Sequence, residues 1–165
     1  MQYKMIKRLL RLILFSVCFS SCSKSTDVVA LIKTQAAIDD KIIVDYLTKK
    51  GLPKNVIDTT GVYYVIDTLG IGNDIFTSAT QITVGYKGSL LTGTIFTQTD
   101  RFHPTYTLGQ LIRGWQVGIP QIKQGGTVTL LVPSRNAYGP FSQTQVGIPA
   151  NSVLRFDIKL YGVTN

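Results

Sequence analysis

The spacing of hydrophobic residues predicts one long helix ahead of a series of strands. From Val28 to about Lys50, apolar residues recur at intervals of four and seven positions, which is the period of a helix with one buried face. Gly51 and Pro53 follow directly, and residues of these types typically end a helix. Beyond Thr60 the helical period is lost and the pattern becomes mostly that of strands.

The second part of the chain carries the strand signals. Apolar runs and alternation predict strands over residues 62–66, 82–91, 128–132 and 153–161, and a tight turn at 91–94 leads into Ile95 and Phe96. One short helix fits between Gln110 and Ile119. Four to six strands with a single internal helix predict an α+β fold, in which an antiparallel sheet wraps around that helix.

The predicted helix from Val28 to Lys50 has two interpretations. In the first, it packs against its own domain. In the second, it mediates dimerisation or holds the domain away from a membrane. We favour the first, which is the more common arrangement for a helix with one apolar stripe. Asp39 and Asp40 lie within this helix and are interpreted as part of its solvated face rather than as a catalytic pair.

Residues 1–22 have the layout of a bacterial secretion signal. Four basic residues come first: Lys4, Lys7, Arg8 and Arg11. The apolar run from Leu12 to Phe19 follows at once, and it is shorter than the about 20 apolar residues needed to span a bilayer. We predict a polar tether over Ser23–Thr26 and the helix within residues 23–60, and the folded domain over residues 61–165.

The end of this signal resembles the lipobox of bacterial lipoproteins, with Ser20 and Ser21 ahead of Cys22. The resemblance predicts lipidation at Cys22 and a location in the cell envelope, anchored to the inner or outer membrane and facing the periplasm or the surface. Two or three acyl chains, at about 0.8 kcal/mol per buried CH₂, anchor far better than one. Cys18 is the rival site, disfavoured by the bulky Val17 before it. An ordinary cleaved signal with an incidental cysteine is the other alternative.

Composition and charge narrow the chemistry. The 165 residues are 44% hydrophobic and 16% charged, as expected of one globular domain. Without the four N-terminal cations the net charge of +8 falls to +4 with scattered basic residues, which argues against nucleic acid as a partner. Every acidic residue is Asp, the single histidine is His103, and both cysteines precede residue 23. The usual zinc sites and Cys–His dyads are therefore absent, and no metal or other cofactor is predicted.

Three segments carry a family resemblance. They are Val84-Gly85-Tyr86-Lys87-Gly88 with Ile95-Phe96 after it, Leu108-Gly109-Gln110-Leu111-Ile112-Arg113-Gly114-Trp115, and Ala137-Tyr138-Gly139 followed by Ile148-Pro149 and Leu154-Arg155-Phe156-Asp157. In order and spacing they resemble the FKBP family of peptidyl-prolyl cis–trans isomerases over roughly 100 residues. Secreted, lipid-anchored members with an N-terminal helix are a known variety of this family, so the start of the chain fits as well.

The resemblance implies a half-barrel of antiparallel strands around a short helix, with an apolar ligand pocket between them. Trp115 would form the floor of the pocket, against the proline ring, and Phe96 would line the pocket. The Tyr138 hydroxyl and the Ile112 N–H would donate hydrogen bonds to substrate carbonyls. The other implied pocket residues are Tyr86, Thr97, Tyr106, Leu111, Ile148 and Phe156. The implied ligands are proline-containing polypeptides and immunosuppressant-type macrolides.

One departure from the family pattern concerns the only carboxylate of the pocket. The family usually has Asp after the pocket phenylalanine, whereas Thr97 follows Phe96 here. We expect a prolyl isomerase that assists the folding of cell-envelope proteins. The alternative is a proline-binding or chaperone lipoprotein with weak or no activity, and Thr97 is the feature that motivates it.

A polar stretch from Pro140 to Gly147 is expected to form a mobile flap over the pocket, where substrate preference would be set.

Overall fold

The computed structural model describes residues 23–57 and 59–165, with side chains from residue 28 onward. The predicted signal segment and Cys22 lie outside the described residues. Helix α1 spans Ser23–Lys50, so Ser23–Thr26 is helical where the sequence predicts a tether. Those residues carry no apolar period to mark a helix, but they also contain no Pro or Gly that would stop one. No described helix has the length and hydropathy required to cross a bilayer.

The C-terminal end of α1 is set by Gly51, as the sequence predicts. Gly51 has a φ of +64°, a left-handed conformation that glycine adopts without steric cost. Its N–H donates to the Thr48 carbonyl, and the N–H of Leu52 donates to the Leu47 carbonyl. These two bonds form a Schellman-type cap, which satisfies carbonyls that the helix leaves free.

The described residues form one seven-stranded antiparallel sheet in the order β1-β2-β6-β7-β3-β4, with β5 also paired to β3. The strands are β1 Asn55–Ile57, β2 Val62–Thr68, β3 Gln81–Leu90, β4 Ile95–Gln98, β5 Thr105–Thr107, β6 Thr127–Val132 and β7 Leu154–Thr164. Helix α2 spans Arg113–Gly118. The α+β fold is confirmed, but the predicted range of four to six strands is too low, because β1 and β5 are three residues each and too short to show a period.

In strand β7, buried apolar residues alternate with polar residues, so the two faces of the sheet differ in character. Leu154, Phe156, Ile158 and Leu160 are buried on the face that packs with α2, in the main core. Arg155 and Asp157 point to the other face and form an ion pair at 2.7 Å. Burial alone raises the pKa of the Asp157 carboxyl, but hydrogen bonds from Arg155 and Thr129 outweigh it, and the pKa lies below its ordinary value. The pair therefore stabilises the fold at neutral pH, and that contribution is lost as the pH falls through this lowered pKa.

The chain divides into two compact units, residues 1–35 and 36–165. In the first unit, the described part is helical and its Leu31 is 68% exposed. In the second unit, Ile43 and Leu47 of α1 are fully buried in a cluster with Tyr63, Leu131 and Val153. For residues 36–50 the structure therefore confirms the first interpretation of the helix, which packs against its own domain.

Polar contacts add to this docking of α1. The Tyr63 hydroxyl donates to Asp40 at 2.6 Å, and Arg155 donates to the Tyr46 hydroxyl at 2.8 Å. Asp39 is fully buried and accepts hydrogen bonds from Ser134, so the interpretation of Asp39 as a solvated residue is wrong. Because this turn of α1 faces the sheet, hydrogen bonds from protein donors replace the water that would otherwise solvate the Asp39 carboxylate.

We predict that replacing a docked isoleucine of α1 destabilises the domain. Ile43→Ala should lower the free energy of unfolding by about 2–4 kcal/mol, because it removes buried methyl groups and leaves a cavity. Ile42→Ala is the matched control: Ile42 is 42% exposed, and its replacement should change that free energy by less than about 0.5 kcal/mol. Urea unfolding followed by the fluorescence of the single tryptophan measures both. Equal losses in the two variants would contradict the docked arrangement.

Candidate active site

A cavity of about 290 Å³ opens on the inner face of the sheet, above helix α2. Most of its lining is aromatic or aliphatic, and among the described residues that line it none carries a charge. The lining residues are Tyr86, Phe96, Thr97, Tyr106, Leu111, Ile112, Trp115, Tyr138, Val146 and Phe156. A site of this kind accepts an apolar group and orients it with a few neutral donors.

Helix α2 lies unusually close to strand β6, which brings Trp115 against the sheet. A methyl group added at Gly114 would lie 2.4 Å from the Val132 side chain, and one added at Gly118 would lie 2.4 Å from that of Leu130. Real Cβ contacts are never that short, so both positions require glycine for the helix to keep its present distance. Trp115, between them in sequence, is only 4% exposed and forms the floor of the cavity.

Edge-to-face contacts fix the aromatic rings around the Trp115 indole. Its centroid lies 4.9 Å from that of Tyr86 and 5.4 Å from that of Phe156, with interplanar angles of 83° and 89°. Phe96 continues the arrangement, 5.8 Å from Phe156 at 86°. Each such contact contributes about 0.5–1.5 kcal/mol beyond the burial of area, so the floor and one wall are held in a defined shape.

Strand β4 supplies Phe96 and Thr97 to the wall of the cavity. In the ladder, Gly88 pairs with Thr97, and a methyl group at Gly88 would lie 2.7 Å from the Phe96 ring. The glycine thus lets the Phe96 ring lie across β3. Thr97 lines the cavity as predicted, so the position that usually carries the carboxylate presents a hydroxyl and a methyl group instead.

Two of the neutral donors at the cavity, the Ile112 N–H and the Tyr138 hydroxyl, have no acceptor within the part of the chain that the structure describes, and the buried Trp115 Nε1–H is another such donor. Ile112 precedes the first turn of α2, and its carbonyl accepts the N–H groups of Trp115 and Gln116, but its own N–H makes no hydrogen bond. The Tyr138 hydroxyl likewise makes none. These are the two donors predicted to bind substrate carbonyls, and the structure leaves both available.

Tyr86 and Tyr106 form a pair of hydroxyls on another wall of the cavity. Their oxygens are 3.3 Å apart, within hydrogen-bonding distance. The hydrogen bond to Tyr86, with burial as the second cause, raises the pKa of Tyr106 to about 12. The Tyr106 hydroxyl is therefore neutral at physiological pH, and no Asp, Lys or Arg side chain is among the described residues that line the cavity.

The cavity brings together nine of the ten residues predicted for it. The exception is Ile148, which is 2% exposed and packs in the main core, and its backbone exchanges hydrogen bonds with Gln143. Val146 lines the cavity and was missed. It is the one apolar residue between Phe141 and Gly147, and that isolation within a polar flap is the signal that could have found it. The flap contains a 3₁₀ turn over Thr144–Val146.

Comparison with known proteins gives a family for this architecture. The profile of the FKBP-type peptidyl-prolyl cis-trans isomerase family matches residues 72–161. The isomerase FkpA of Buchnera aphidicola from Schizaphis graminum is 44% identical over 123 residues, which cover 73% of this chain and 48% of that protein. FkpA of Escherichia coli K12 is 36% identical over 122 residues, which cover 72% of this chain and 44% of that protein.

The fold comparison agrees with the sequence comparison. The crystal structure of FkpA from Escherichia coli superposes with a TM-score of 0.65 at 26% identity, covering 99% of this chain and 82% of that one. The chain spans about half the length of the curated relatives it matches. The family match over residues 72–161 includes every described residue that lines the cavity.

We predict that the high pKa of Tyr106 depends on Tyr86. Tyr86→Phe removes the hydrogen bond, so the pKa of Tyr106 should fall from about 12 toward the ordinary tyrosine value of about 10. A raised tyrosine pKa stabilises the fold at every pH below the ordinary tyrosine pKa, and this stabilisation is lost as the pH rises through the raised pKa. At neutral pH the Tyr86–Tyr106 hydrogen bond therefore contributes in full, and Tyr86→Phe should remove that contribution.

Tyrosinate absorbance at a pH one unit above the ordinary tyrosine value measures this change. Tyr63 and Tyr106, each with a pKa raised to about 12, should still be protonated there in the unaltered protein, and Tyr106 should become largely ionised in Tyr86→Phe. Tyr138→Phe is the control, since it removes a cavity tyrosine outside the pair. An unchanged late-titrating population in Tyr86→Phe would contradict the prediction.

Proposed function

This chain belongs to the FKBP-type peptidyl-prolyl cis-trans isomerase family, and we propose that it catalyses the cis–trans isomerisation of X–Pro bonds in polypeptides. The observation that carries the proposal is the aromatic-floored cavity without charged lining residues, in which the Ile112 N–H and the Tyr138 hydroxyl are free to donate. An apolar ring such as proline fits the aromatic floor. The Ile112 N–H and the Tyr138 hydroxyl then donate hydrogen bonds to carbonyl oxygens of the same polypeptide.

The physical chemistry of the reaction suits such a site. Rotation about a peptide bond has a barrier of about 18–20 kcal/mol, because twisting removes the amide resonance. No bond is formed or broken, so neither a base nor a nucleophile is required. The twisted carbonyl is less polarised than the planar one, and transfer from water to an apolar cavity therefore costs the transition state less than the ground state.

The two donors have a separate part in this scheme. A hydrogen bond from the Ile112 N–H and another from the Tyr138 hydroxyl hold the chain on either side of the rotating bond. The energy of these contacts restricts the substrate to conformations near the twisted state. The aromatic contacts of Trp115 keep the proline ring in place while the rest of the bond rotates.

Thr97 supports a second candidate function, the binding of proline segments without rapid turnover. In the family pattern this position carries the only carboxylate of the pocket, and here it carries a hydroxyl. A carboxylate is a stronger hydrogen-bond acceptor than a hydroxyl and orients neighbouring donors more firmly. Its replacement leaves the shape of the cavity intact and removes that electrostatic influence. We rank this function below catalysis because the floor and both donors are retained.

We further propose that the protein acts on envelope proteins while attached to a membrane through lipidated Cys22. The support is the order of basic, apolar and small residues within the first 22 positions. Immunosuppressant-type macrolides are proposed as competing ligands, because the family resemblance implies that they occupy the same apolar cavity. Such ligands would bind above Trp115.

The proposed activity is tested with the purified protein and X–Pro peptides. We expect catalysed isomerisation above the spontaneous rate, and Thr97→Asp should raise kcat/KM by about tenfold, which corresponds to about 1.4 kcal/mol in the barrier. Thr97→Asn is the matched control of the same size without the charge, and it should give no increase. Activity in Thr97→Asp alone would support the second candidate. Spontaneous rates in both the unaltered protein and Thr97→Asp would sink the proposal of catalysis.

The proposed anchor is tested by a pair of cysteine substitutions in cells. Cys22→Ala should move the protein from the membrane fraction to the soluble fraction, because the acyl chains are lost with the thiol. Cys18→Ala is the control and should leave the protein with the membranes. If Cys22→Ala stays with the membranes, lipidation at this position is wrong, and release by Cys18→Ala alone would assign the lipid to Cys18.

A further inference from the structure

A buried carboxylate connects helix α1 with the segment that carries the cavity tyrosine. Asp39 is fully buried, and its Oδ2 accepts the backbone N–H of Ser134 at 2.8 Å and the Ser134 Oγ–H at 2.6 Å. Aspartate is almost never fully buried without partners, because an ionised group loses its hydration there. The hydrogen bonds from Ser134 therefore compensate part of the hydration that the Asp39 carboxylate loses where α1 is docked.

Ser134 also holds the chain on both sides of Tyr138. It begins a 3₁₀ turn over Ser134–Asn136, and its carbonyl accepts the N–H of Ala137 at 2.9 Å and that of Gly139 at 2.8 Å. These are the two neighbours of Tyr138 in sequence. Ser134 thus makes hydrogen bonds in two directions, with Asp39 through its N–H and hydroxyl and with the flanks of Tyr138 through its carbonyl.

The segment from Ala137 to Gly139 depends on these bonds for its conformation. It lies outside every strand and helix, so no ladder or helical turn holds it. Besides the Ser134 carbonyl, the Tyr138 carbonyl accepts from Phe141 and the Gly139 carbonyl accepts from Asn151. Of these contacts, the one with Ser134 is the connection that leads directly to α1.

We infer that Asp39 is a positioning residue, which fixes the Ser134 turn and through it the place of the Tyr138 hydroxyl in the cavity. The inference rests on the proposed function in so far as Tyr138 binds a substrate carbonyl. It gives α1 a part in the reaction, since the docked half of the helix supplies one of the groups that shape the site. A loss of α1 docking at Asp39 would then weaken the site without touching its lining.

The neighbouring Asp40 offers a matched control. It is also a carboxylate of α1 that is hydrogen-bonded to the sheet, through the Tyr63 hydroxyl at 2.6 Å. Tyr63 belongs to β2 and to the cluster under α1, and it does not line the cavity. Asp40→Ala therefore tests helix docking alone, whereas Asp39→Ala tests docking together with the path to Tyr138.

The first experiment is a double-mutant cycle in kcat/KM for an X–Pro peptide. Asp39→Ala should lower kcat/KM by about tenfold, the size expected when one hydrogen bond to a charged group ceases to be made. In a Tyr138→Phe background the same substitution should have little further effect, because the group it positions is already gone. Asp39→Asn keeps one acceptor oxygen and should restore part of the activity, and Asp40→Ala should leave kcat/KM nearly unchanged.

Equal losses from Asp39→Ala in the two backgrounds would overturn the inference, since Asp39 would then act on stability alone. Ser134→Ala is the milder variant in case Asp39→Ala fails to fold: it removes only the hydroxyl bond, and its loss should also disappear in the Tyr138→Phe background. A loss of the same size from Asp40→Ala would likewise overturn the inference.

The second experiment does not require activity, so a failure of the proposed function leaves the test of Asp39 intact. The protein is labelled with fluorotyrosine, and the fluorine resonance of residue 138 is assigned by its disappearance in Tyr138→Phe. Asp39→Ala should shift or broaden that resonance, whereas Asp40→Ala should leave it in place and disturb the resonance of Tyr63. An unchanged Tyr138 resonance in Asp39→Ala would overturn the inference whether or not the protein is an isomerase.

Discussion

The close approach of helix α2 to strand β6 is the constraint on which the cavity depends. Gly114 and Gly118 lie against Val132 and Leu130 at distances that no larger residue would permit. Because the helix can come so near, Trp115 becomes buried with its ring facing the aromatic residues of β3 and β7. A helix held further away would leave its tryptophan in a wider and less defined space.

From that contact the remaining walls follow by edge-to-face packing. Tyr86 and Phe156 each meet the indole nearly at right angles, and Phe96 meets Phe156 in the same way. These perpendicular contacts fix the orientation of the rings around the cavity. The surfaces that would bind an apolar ring are the same surfaces that stabilise the core.

The sequence predicts this site well because its positions impose strict demands on residue type. Glycine at 114 and 118 and aromatic rings at 86, 96, 115 and 156 each meet a steric requirement, so their order and spacing remain recognisable. The short strands β1 and β5, and the core position of Ile148, impose no such demand. An isoleucine suits a core position as well as a cavity wall, and only the fold decides between them.

Asp39 shows the other limit of sequence reasoning. Two adjacent aspartates in a helix predict a solvated face, and the pattern contains nothing to separate Asp39 from Asp40. Their difference comes from 95 positions away, where the Ser134 turn presents two donors to one of the carboxylates. Long-range hydrogen bonds of this kind leave no periodic trace in the chain, because either partner is an ordinary surface residue type.

Apolar and charged residues alternate along β7, so the charged side chains lie on one face of the sheet and the apolar side chains on the other. This alternation explains how a cavity without charged lining residues can lie near an ion pair. Phe156 faces the cavity, whereas its neighbours Arg155 and Asp157 face the side on which α1 docks. The ion pair thus lies on the face where α1 docks, and there Arg155 donates a hydrogen bond to the Tyr46 hydroxyl. The donors on the inner face are neutral groups.

Because Thr97 stands in the place of a carboxylate, none of the described residues that line the cavity is charged. In the proposed reaction, desolvation and the hydrogen bonds of the Tyr138 hydroxyl and the Ile112 N–H take the place of charged groups, so the precision with which Ser134 holds Tyr138 matters more than it would beside a carboxylate.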